Sequence, residues 1–282
     1  MTLQEKIEYN KKSSLKMKWD PSLFGAADFN VELINLVEKF QKEMGVEADG
    51  LVGPITHRLI TTKVQSEKGE FIVCDGQKVP ISWGKVITMG EPGALGVTSK
   101  GYRKTPKRKP SMFVVHWDAC LSSASCAEVL KQRGLSVHFC IDNDGTIYQL
   151  VDTTDVAYHA SDVNGVSIGV EISNAFYLKY QDYYVKKGFG PRPVLKNTKV
   201  GNGTIDSHLM FYPEQEMALS ALIKAVCGHY GIPLEVPRVN GSYATGEHPD
   251  VASGKFKGVV CHFHVTDKKI DCAGLDLEKI IK

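Results

Sequence analysis

Two histidines and one carboxylate are spaced in a way that could build a metal centre. His116 directly follows the apolar segment 112–115, and His262 directly follows a second apolar segment, 258–261. Asp271 comes nine residues after His262, in a part of the chain that reads as a loop. Two histidines at strand ends and a carboxylate on a following loop suit a catalytic zinc site, in which three protein ligands leave the fourth position for water.

The third ligand has a second candidate. Cys272 is the neighbour of Asp271, and a thiolate is as good a zinc ligand as a carboxylate. Successive residues of an extended segment point to opposite sides, so we expect only one of the two side chains to reach the metal. The residue types alone leave this choice open.

Glu171 is the candidate for proton transfer. Apolar residues alternate with small or polar ones over 166–172, which predicts a strand with one face in the core. Glu171 falls on the other face, where Ser167 and Gly169 leave space for a carboxylate in a cleft. A glutamate on such a face is more often a solvated residue than a catalytic one, so the strand pattern alone leaves both alternatives open.

The elements that would position these residues alternate along the chain. Strand patterns occur at 112–115, 137–141, 146–150, 166–172 and 258–261. Helical patterns occur at 127–132, 213–230 and 275–281. This alternation predicts an α/β fold with a central mixed β-sheet flanked by helices. Residues 175–212 show little periodicity, and we interpret them as an insertion that lines a substrate groove.

A different pattern precedes this domain. Residues 31–44 have the apolar spacing of a helix that ends at Gly45, and Pro54 begins another helix after a turn. The helix and the D-G-L-V-G-P-I-T sequence at 49–56 resemble the small three-helix peptidoglycan-binding module common at the ends of wall hydrolases. The resemblance implies a small all-α module at residues 1–65 that binds the cell wall.

Residues 66–110 are predicted to be a linker and a basic lead-in segment, followed by the catalytic domain at 111–282. The polar run at 67–70 is typical of a linker. The lead-in segment concentrates basic residues with no acid among them: Lys100, Arg103, Lys104, Lys107, Arg108 and Lys109. Such a segment is either a solvated loop or a contact to an anionic wall polymer.

The second domain carries five motifs in one order. They are F-V-V-H at 113–116, S-V-H-F and I-D-N-D-G-T-I-Y-Q within 136–149, A-Y-H-A at 157–160, S-I-G-V-E at 167–171, and His262 followed by K-I-D at 269–271. Over residues 111–280 this order resembles the zinc-dependent N-acetylmuramoyl-L-alanine amidase family, which includes phage lysozyme-type amidases and animal peptidoglycan recognition proteins. With the N-terminal module included, the chain resembles a phage endolysin.

The resemblance implies a role for each candidate residue. His116 and His262 match the two zinc-binding histidines, and Asp271 matches the third ligand, which is Asp or Cys across the family. Glu171 matches the acidic catalytic residue. Lys269 matches a lysine two residues before the third ligand, and we expect it to assist catalysis by stabilising the oxyanion.

The lysine also bears on the third ligand. Lys269 stands two residues before Asp271 but three before Cys272, so the resemblance favours Asp271. His159 matches a motif histidine near the substrate cleft, and we expect it not to bind the metal. His264 is a spare ligand candidate, because an extended segment would turn it to the same side as the zinc-binding histidine before it.

The implied activity is hydrolysis of the amide bond between N-acetylmuramic acid and the L-alanine of the stem peptide in peptidoglycan. Two alternatives remain. A non-catalytic peptidoglycan recognition protein would have the same fold, but family members that only bind usually lack the third ligand. A zinc peptidase would cut within the stem peptide, but the H-E-x-x-H signature of one large peptidase class is absent.

Composition limits the classes of binding partner that we expect. A net charge of +2 over 282 residues gives no reason to expect a nucleic acid, and no apolar run approaches the ~20 residues of a membrane span. We therefore expect peptidoglycan as the partner, no stable membrane association, and a monomer. Seven cysteines, an odd number, do not indicate a disulfide framework, although Cys120 and Cys126 could pair locally.

The N-terminal residues are polar and contain no apolar segment of the kind found in signal peptides. We therefore expect synthesis in the cytoplasm without a signal peptide and action on the bacterial wall, on the periplasmic side, after release. A phage lysis protein and an antibacterial effector both fit that expectation.

Overall fold

A mixed six-stranded sheet forms the centre of the computed structural model, which describes residues 1–67, 69–106 and 108–282. Lys68 and Lys107, from the predicted linker and basic segment, lie outside the described residues. The strands are β1 (Glu70–Cys74), β2 (Gln77–Ile81), β3 (Val86–Ile87), β4 (Tyr102–Arg103), β5 (Met112–Trp117), β6 (Phe139–Ile141), β7 (Ile147–Gln149), β8 (Val156–Ala157), β9 (Ser167–Ile172), β10 (Val194–Val200), β11 (Gly203–Leu209), β12 (Arg238–Val239), β13 (Ser242–Tyr243) and β14 (Gly258–Cys261).

The α-helices lie between and before these strands. They are α1 (Leu3–Met17), α2 (Val31–Glu43), α3 (Pro54–Ser66), α4 (Ser123–Gln132), α5 (Gln181–Lys186), α6 (Pro213–Tyr230), α7 (Pro249–Ala252), α8 (His262–Val265) and α9 (Leu277–Ile280). Short 3-10 helices lie at Pro21–Phe24, Ser161–Val166 and Leu178–Tyr180. None of the described helices is long and apolar enough to cross a membrane.

The strand order in the central sheet is β14-β5-β9-β6-β7-β3. Strands β14, β5, β9 and β6 run parallel, and β7 returns antiparallel to β6 through a tight turn at 142–146. Helix α6 covers one face of the sheet through Leu219, Leu222 and Val226. Helix α4 covers the β6 part of the other face, where Leu130 packs with Cys140. The predicted α/β fold with a central mixed sheet flanked by helices is therefore confirmed.

Helices α1, α2 and α3 form an all-α unit with a core of its own. The core residues are Trp19, Phe24, Ala26, Leu33, Val37, Phe40, Val52, Leu59 and Ile60. This agrees with the three-helix architecture that the resemblance implied. The domain boundaries at residues 65 and 110 stay a prediction.

Polar side chains hold the turn between α2 and α3. Gln41 accepts a hydrogen bond from the N–H of Gly50 at 2.8 Å, and Asn10 of α1 accepts one from the N–H of Val52 at 2.8 Å. Gly50 has φ +73°, and a Cβ atom there would lie 2.7 Å from the Ile34 side chain. The turn therefore requires glycine at this position.

Arg58 joins helix α3 to the rest of the protein. Its guanidinium forms an ion pair with Glu214, a fully buried residue at the start of α6. It also donates to the carbonyl of Phe189 at 2.7 Å and lies 5.0 Å from the ring centroid of Tyr212. Because Phe189 and Tyr212 belong to the insertion at 175–212, the N-terminal helices dock on the insertion and on α6.

The insertion itself contains regular structure, namely α5 and the antiparallel β10–β11 hairpin. Arg192 is buried, and its guanidinium carbon lies 4.2 Å and 4.4 Å from the ring centroids of Tyr184 and Tyr212. The guanidinium also donates to the carbonyl of Ser173 at 2.8 Å. A buried charged side chain therefore helps to tie the insertion to the sheet, alongside apolar residues such as Val200 that join the main core.

We expect Arg58→Ala to lower the free energy of unfolding by about 3 kcal/mol, because it leaves the buried Glu214 carboxylate without its partner. Urea unfolding of the full chain measures this change. The matched control is Lys11→Ala, whose ion pair with Glu8 is about half exposed and should contribute ~0.5 kcal/mol or less. Equal effects of the two substitutions would contradict the docking role of Arg58, and adding Glu214→Gln should recover part of the loss.

Candidate active site

The carboxyl ends of β5 and β14 bring His116 and His262 together. The two strands pair in parallel with Cys261 in register with Val115, so the histidines follow side by side. Their Nδ1 atoms lie 2.9 Å apart. Asp271 completes the group, with its Oδ2 atom 3.0 Å from Nδ1 of His262 and 3.2 Å from Nδ1 of His116. The three residues predicted as ligands therefore meet at one point.

The donor atoms of this group fit a tetrahedral metal. Zinc bonds of about 2.0–2.1 Å at tetrahedral angles place neighbouring ligand atoms about 3.3 Å apart, close to the separations observed here. The three side chains are buried, and two imidazole nitrogens with one carboxylate oxygen form a set that zinc accepts. The geometry is thus compatible with three protein ligands and one open position.

The protonation states of His116 and Asp271 are those that metal binding requires. Burial, with the neighbouring His262 as the next cause, lowers the pKa of His116 to about 4, so its ring is neutral at pH 7. Burial alone would raise the pKa of Asp271, but hydrogen bonds with both histidines outweigh burial and hold the pKa below its ordinary value. A neutral imidazole and an ionised carboxylate are the metal-binding forms of these side chains.

Glu171 lies beside the group on β9. It is in register with His116 across the parallel β5–β9 pair, and residues in register share a face of the sheet. Its Oε2 atom is buried and has no hydrogen-bond partner among the described residues. Burial, and then the negative charge of Asp271, raises the pKa of Glu171 well above its usual range. A carboxyl group with one buried, unbonded oxygen and a raised pKa is suited to proton transfer.

The face of β9 that carries Glu171 is enclosed by protein. Ser167 and Gly169 are both buried, although the strand pattern left open whether this face meets solvent or a site. The Ser167 hydroxyl donates to the carbonyl of Val163 at 2.8 Å, and the ring of His159 lies against Gly169. The segment between β8 and β9 therefore folds over this face.

Lys269 is exposed at the edge of the group. It lines a cavity of about 370 Å³ together with residues 200–205 at the tip of the β10–β11 hairpin. Phe263 lines the same cavity, and its N–H donates to the carbonyl of Asp271 at 3.0 Å. The cavity therefore adjoins the three-residue group, and the insertion forms one of its walls.

His159 contacts the group in a way that the sequence did not reveal. Its Nδ1 atom lies 3.0 Å from Nε2 of His116, and its Nε2 atom lies 3.2 Å from the hydroxyl of Ser167. At Gly169 a Cβ atom would lie 2.5 Å from the His159 ring. The glycine in the I-G-V-E sequence was the available signal, because a required glycine on a strand often marks the close approach of another group.

Two other residues weighed as ligands are occupied elsewhere. His264 accepts from the N–H of Cys261 at 2.9 Å and donates to the carbonyl of Ala244 at 2.7 Å. It lies in helix α8, so the expectation of an extended segment is wrong. Cys272 is fully buried in the core beneath α6 and lies outside the group. Cys120 and Cys126, which could have paired, are free thiols.

Arg108 is not part of a surface patch. It is buried, and its guanidinium donates to the carbonyls of Thr153 at 2.8 Å and Ser167 at 2.6 Å. Burial lowers its pKa to about 10, which leaves it charged at pH 7. The interpretation of the basic segment as a solvated loop or wall contact is therefore wrong for Arg108. Four other basic residues of the segment are exposed: Lys100, Arg103, Lys104 and Lys109.

His138 is a structural residue. Its Nδ1 atom accepts from the N–H of Gly169 at 3.0 Å, and its Nε2 atom lies 3.0 Å from the carbonyl of Asp155. Burial, with Arg108 as the next cause, lowers its pKa to about 3. A neutral ring with both nitrogens engaged is not available to a metal.

Comparison with known families gives the same assignment as the motifs. Residues 106–256 match the family model described as N-acetylmuramoyl-L-alanine amidase, and this match spans more than half of the chain. The chain belongs to the N-acetylmuramoyl-L-alanine amidase family. The matched part of the chain includes His116, His159 and Glu171 but ends before His262 and Asp271.

Several solved structures are similar to this chain. The N-acetylmuramoyl-L-alanine amidase LysC from Clostridium intestinale has 19% identity and a TM-score of 0.39, covering 70% of this chain and 94% of that one. The Ph2119 endolysin from a Thermus scotoductus bacteriophage has 14% identity and a TM-score of 0.39, covering 69% and 96%. The amidase AmiD from E. coli, in complex with an anhydromuropeptide, has 20% identity and a TM-score of 0.32, covering 49% and 53%. No curated protein matches the chain in sequence.

The candidate for the third metal ligand can be tested directly. We expect Asp271→Ala to lose stoichiometric zinc and wall hydrolysis, and Cys272→Ala to keep both, because the Asp271 carboxylate and not the Cys272 thiol meets the histidines. Elemental analysis after dialysis measures bound zinc, and thermal unfolding checks that both variants are folded. If Cys272→Ala loses zinc and Asp271→Ala keeps it, the third ligand is Cys272 and not Asp271.

Proposed function

We propose that the protein is a zinc-dependent peptidoglycan hydrolase that cleaves the amide bond between N-acetylmuramic acid and the L-alanine of the stem peptide. The main support is the meeting of His116, His262 and Asp271 within 3.2 Å of one another, beside the carboxyl group of Glu171, whose Oε2 atom is buried. Membership of the amidase family supports the substrate class.

Each residue of the site has one task in this proposal. His116, His262 and Asp271 hold zinc, which when bound supplies a Lewis acid for the lactyl carbonyl and lowers the pKa of water. Glu171 takes the proton of the attacking water and then donates it to the amine of the departing L-alanine. The ammonium group of Lys269 stabilises the negative charge that develops on the carbonyl oxygen. No covalent intermediate is needed.

The environment of Glu171 supports its proton-transfer role over a ligand role. Its carboxyl group is not one of the three groups that converge, and one of its oxygens lacks a partner within the described chain. Its raised pKa makes it a stronger base than an ordinary glutamate, which favours removal of a proton from water. A protein that only bound peptidoglycan would have no use for such a group.

We further propose that the N-terminal helices hold the protein on the polymeric wall and that its role is lysis of bacteria. A groove of about 190 Å³ borders the turn that resembles the wall-binding module, and its lining includes Tyr9, Glu47, Leu51 and Ile55. A half-exposed tyrosine next to polar groups offers both an apolar ring and hydrogen bonds to a glycopeptide.

The activity is tested by mass spectrometry of digested cell wall with matched Glu171→Gln protein. The wild-type protein should release new L-alanine amino termini. The variant should lose turnover by on the order of 10²-fold or more while keeping stoichiometric zinc, since the amide cannot take up the proton. Other new termini would make the protein a peptidase, an absence of products would make it a binder, and loss of zinc from the variant would make Glu171 a ligand.

Wall binding by the N-terminal helices is tested with substitutions in the full chain. Tyr9→Ala should weaken co-sedimentation with insoluble wall several-fold, while hydrolysis of small soluble muropeptides stays unchanged. Leu15→Ala is the matched control, because Leu15 is 84% exposed on the same helix and does not line the groove. If both variants co-sediment with insoluble wall to the same extent as the wild-type protein, this groove is not the wall contact.

A further inference from the structure

The metal-binding form of His116 depends on where its proton sits. A neutral imidazole carries one N–H, and a proton on Nδ1 would prevent that atom from binding a metal. The other nitrogen, Nε2, lies 3.0 Å from Nδ1 of His159. The partner of His116 therefore selects between a tautomer that binds the metal and one that does not.

Hydrogen bonds beyond His159 determine this choice. The Ser167 hydroxyl has a single proton, which it donates to the carbonyl of Val163 at 2.8 Å. The Ser167 oxygen also lies 3.2 Å from Nε2 of His159, so it accepts there and Nε2 carries the ring proton. Nδ1 of His159 is then an acceptor, and His116 donates to it from Nε2. This leaves the Nδ1 lone pair of His116 directed at the other two proposed ligands.

The position of the His159 ring is fixed from two sides. The backbone N–H of His159 donates to the side-chain oxygen of Asn164 at 3.0 Å. On the sheet side, a Cβ atom at Gly169 would lie 2.5–2.7 Å from three atoms of the ring, closer than any packing allows. The absence of a side chain at Gly169 is therefore what admits His159 to its place behind His116.

We propose that His159 is a positioning residue that holds His116 in its zinc-binding tautomer, with Ser167 fixing the proton and Gly169 providing the space. The inference rests on the proposed zinc site, although not on which bond of the wall is cut. Hydrogen-bond partners behind metal ligands typically change metal affinity by about 10–100-fold.

Zinc titration of the full chain against a chromophoric chelator tests the role of His159. His159→Ala should weaken zinc affinity by about 10–100-fold. His159→Asn should regain most of it, because the Asn oxygen can take the place of Nδ1 as acceptor. Thermal unfolding of the metal-free variants separates loss of positioning from loss of fold. Wild-type affinity in folded His159→Ala would overturn the inference.

Two glycines of the same region provide a matched comparison. Gly169→Ala should weaken zinc binding, because the new methyl group displaces the His159 ring, whereas Gly165→Ala should not, because nothing lies within 4 Å of its added Cβ. In the His159→Ala background, Gly169→Ala should have no additional effect, since the space is then empty. An equal effect of Gly169→Ala in both backgrounds would contradict a role through His159.

The tautomers can also be read in the wild-type protein without any substitution. Long-range ¹H–¹⁵N spectra of the zinc-loaded chain should show the proton on Nε2 in both His116 and His159. A proton on Nδ1 of His159 would overturn the inference. A wild-type protein that binds no zinc would reject both this inference and the proposed function. Zinc affinity that depends on His159 in a protein that leaves wall uncut would support the inference and reject the function.

Discussion

The parallel pairing of β14, β5 and β9 is the constraint on which the site depends. Parallel strands end at the same edge of a sheet, so His262, His116 and Glu171 lie close together. The two histidines are 146 positions apart in the sequence. The register is set on the opposite face, where Phe113, Val115 and the apolar residues of β9 are buried under α6. A slip of one residue would turn every site residue into that core. Apolar packing on the opposite face of the sheet thus determines the positions of the site residues.

Much of this arrangement could be predicted from residue order. Buried strands leave apolar runs in the sequence, and a polar residue directly after such a run has to lie at the sheet edge, which located His116 and His262. Strand alternation located Glu171 in the same way. Gly169 signalled a close approach to that face, but the sequence could not show which segment makes it, because no spacing rule links His159 to Gly169. That contact depends on the path of a connecting segment.

Segments held by polar side chains were the hardest to predict. Helix α1 has only Asn10 and Ser13 as buried residues, and Asn10 bonds the turn after α2, so the helix lacks an apolar stripe. Arg192 likewise holds the insertion through hydrogen bonds of its buried guanidinium. Arg108 belongs to a basic segment, yet it is buried and donates hydrogen bonds to carbonyl oxygens. Composition identifies such residues as surface residues because burial of a charge depends on partners that are distant in sequence.

If the N-terminal helices bind the wall as proposed, their docking through Arg58 has a consequence for how the protein would move over its substrate. A binding module on a flexible linker lets its enzyme sweep a sphere of polymer around one attachment point. Here α3 is fixed to α6 and the insertion, so one attachment would present one small region of wall to the catalytic residues. Progress across the wall would then require release and reattachment. Wall binding that is too tight would then slow hydrolysis of the wall, as would binding that is too weak.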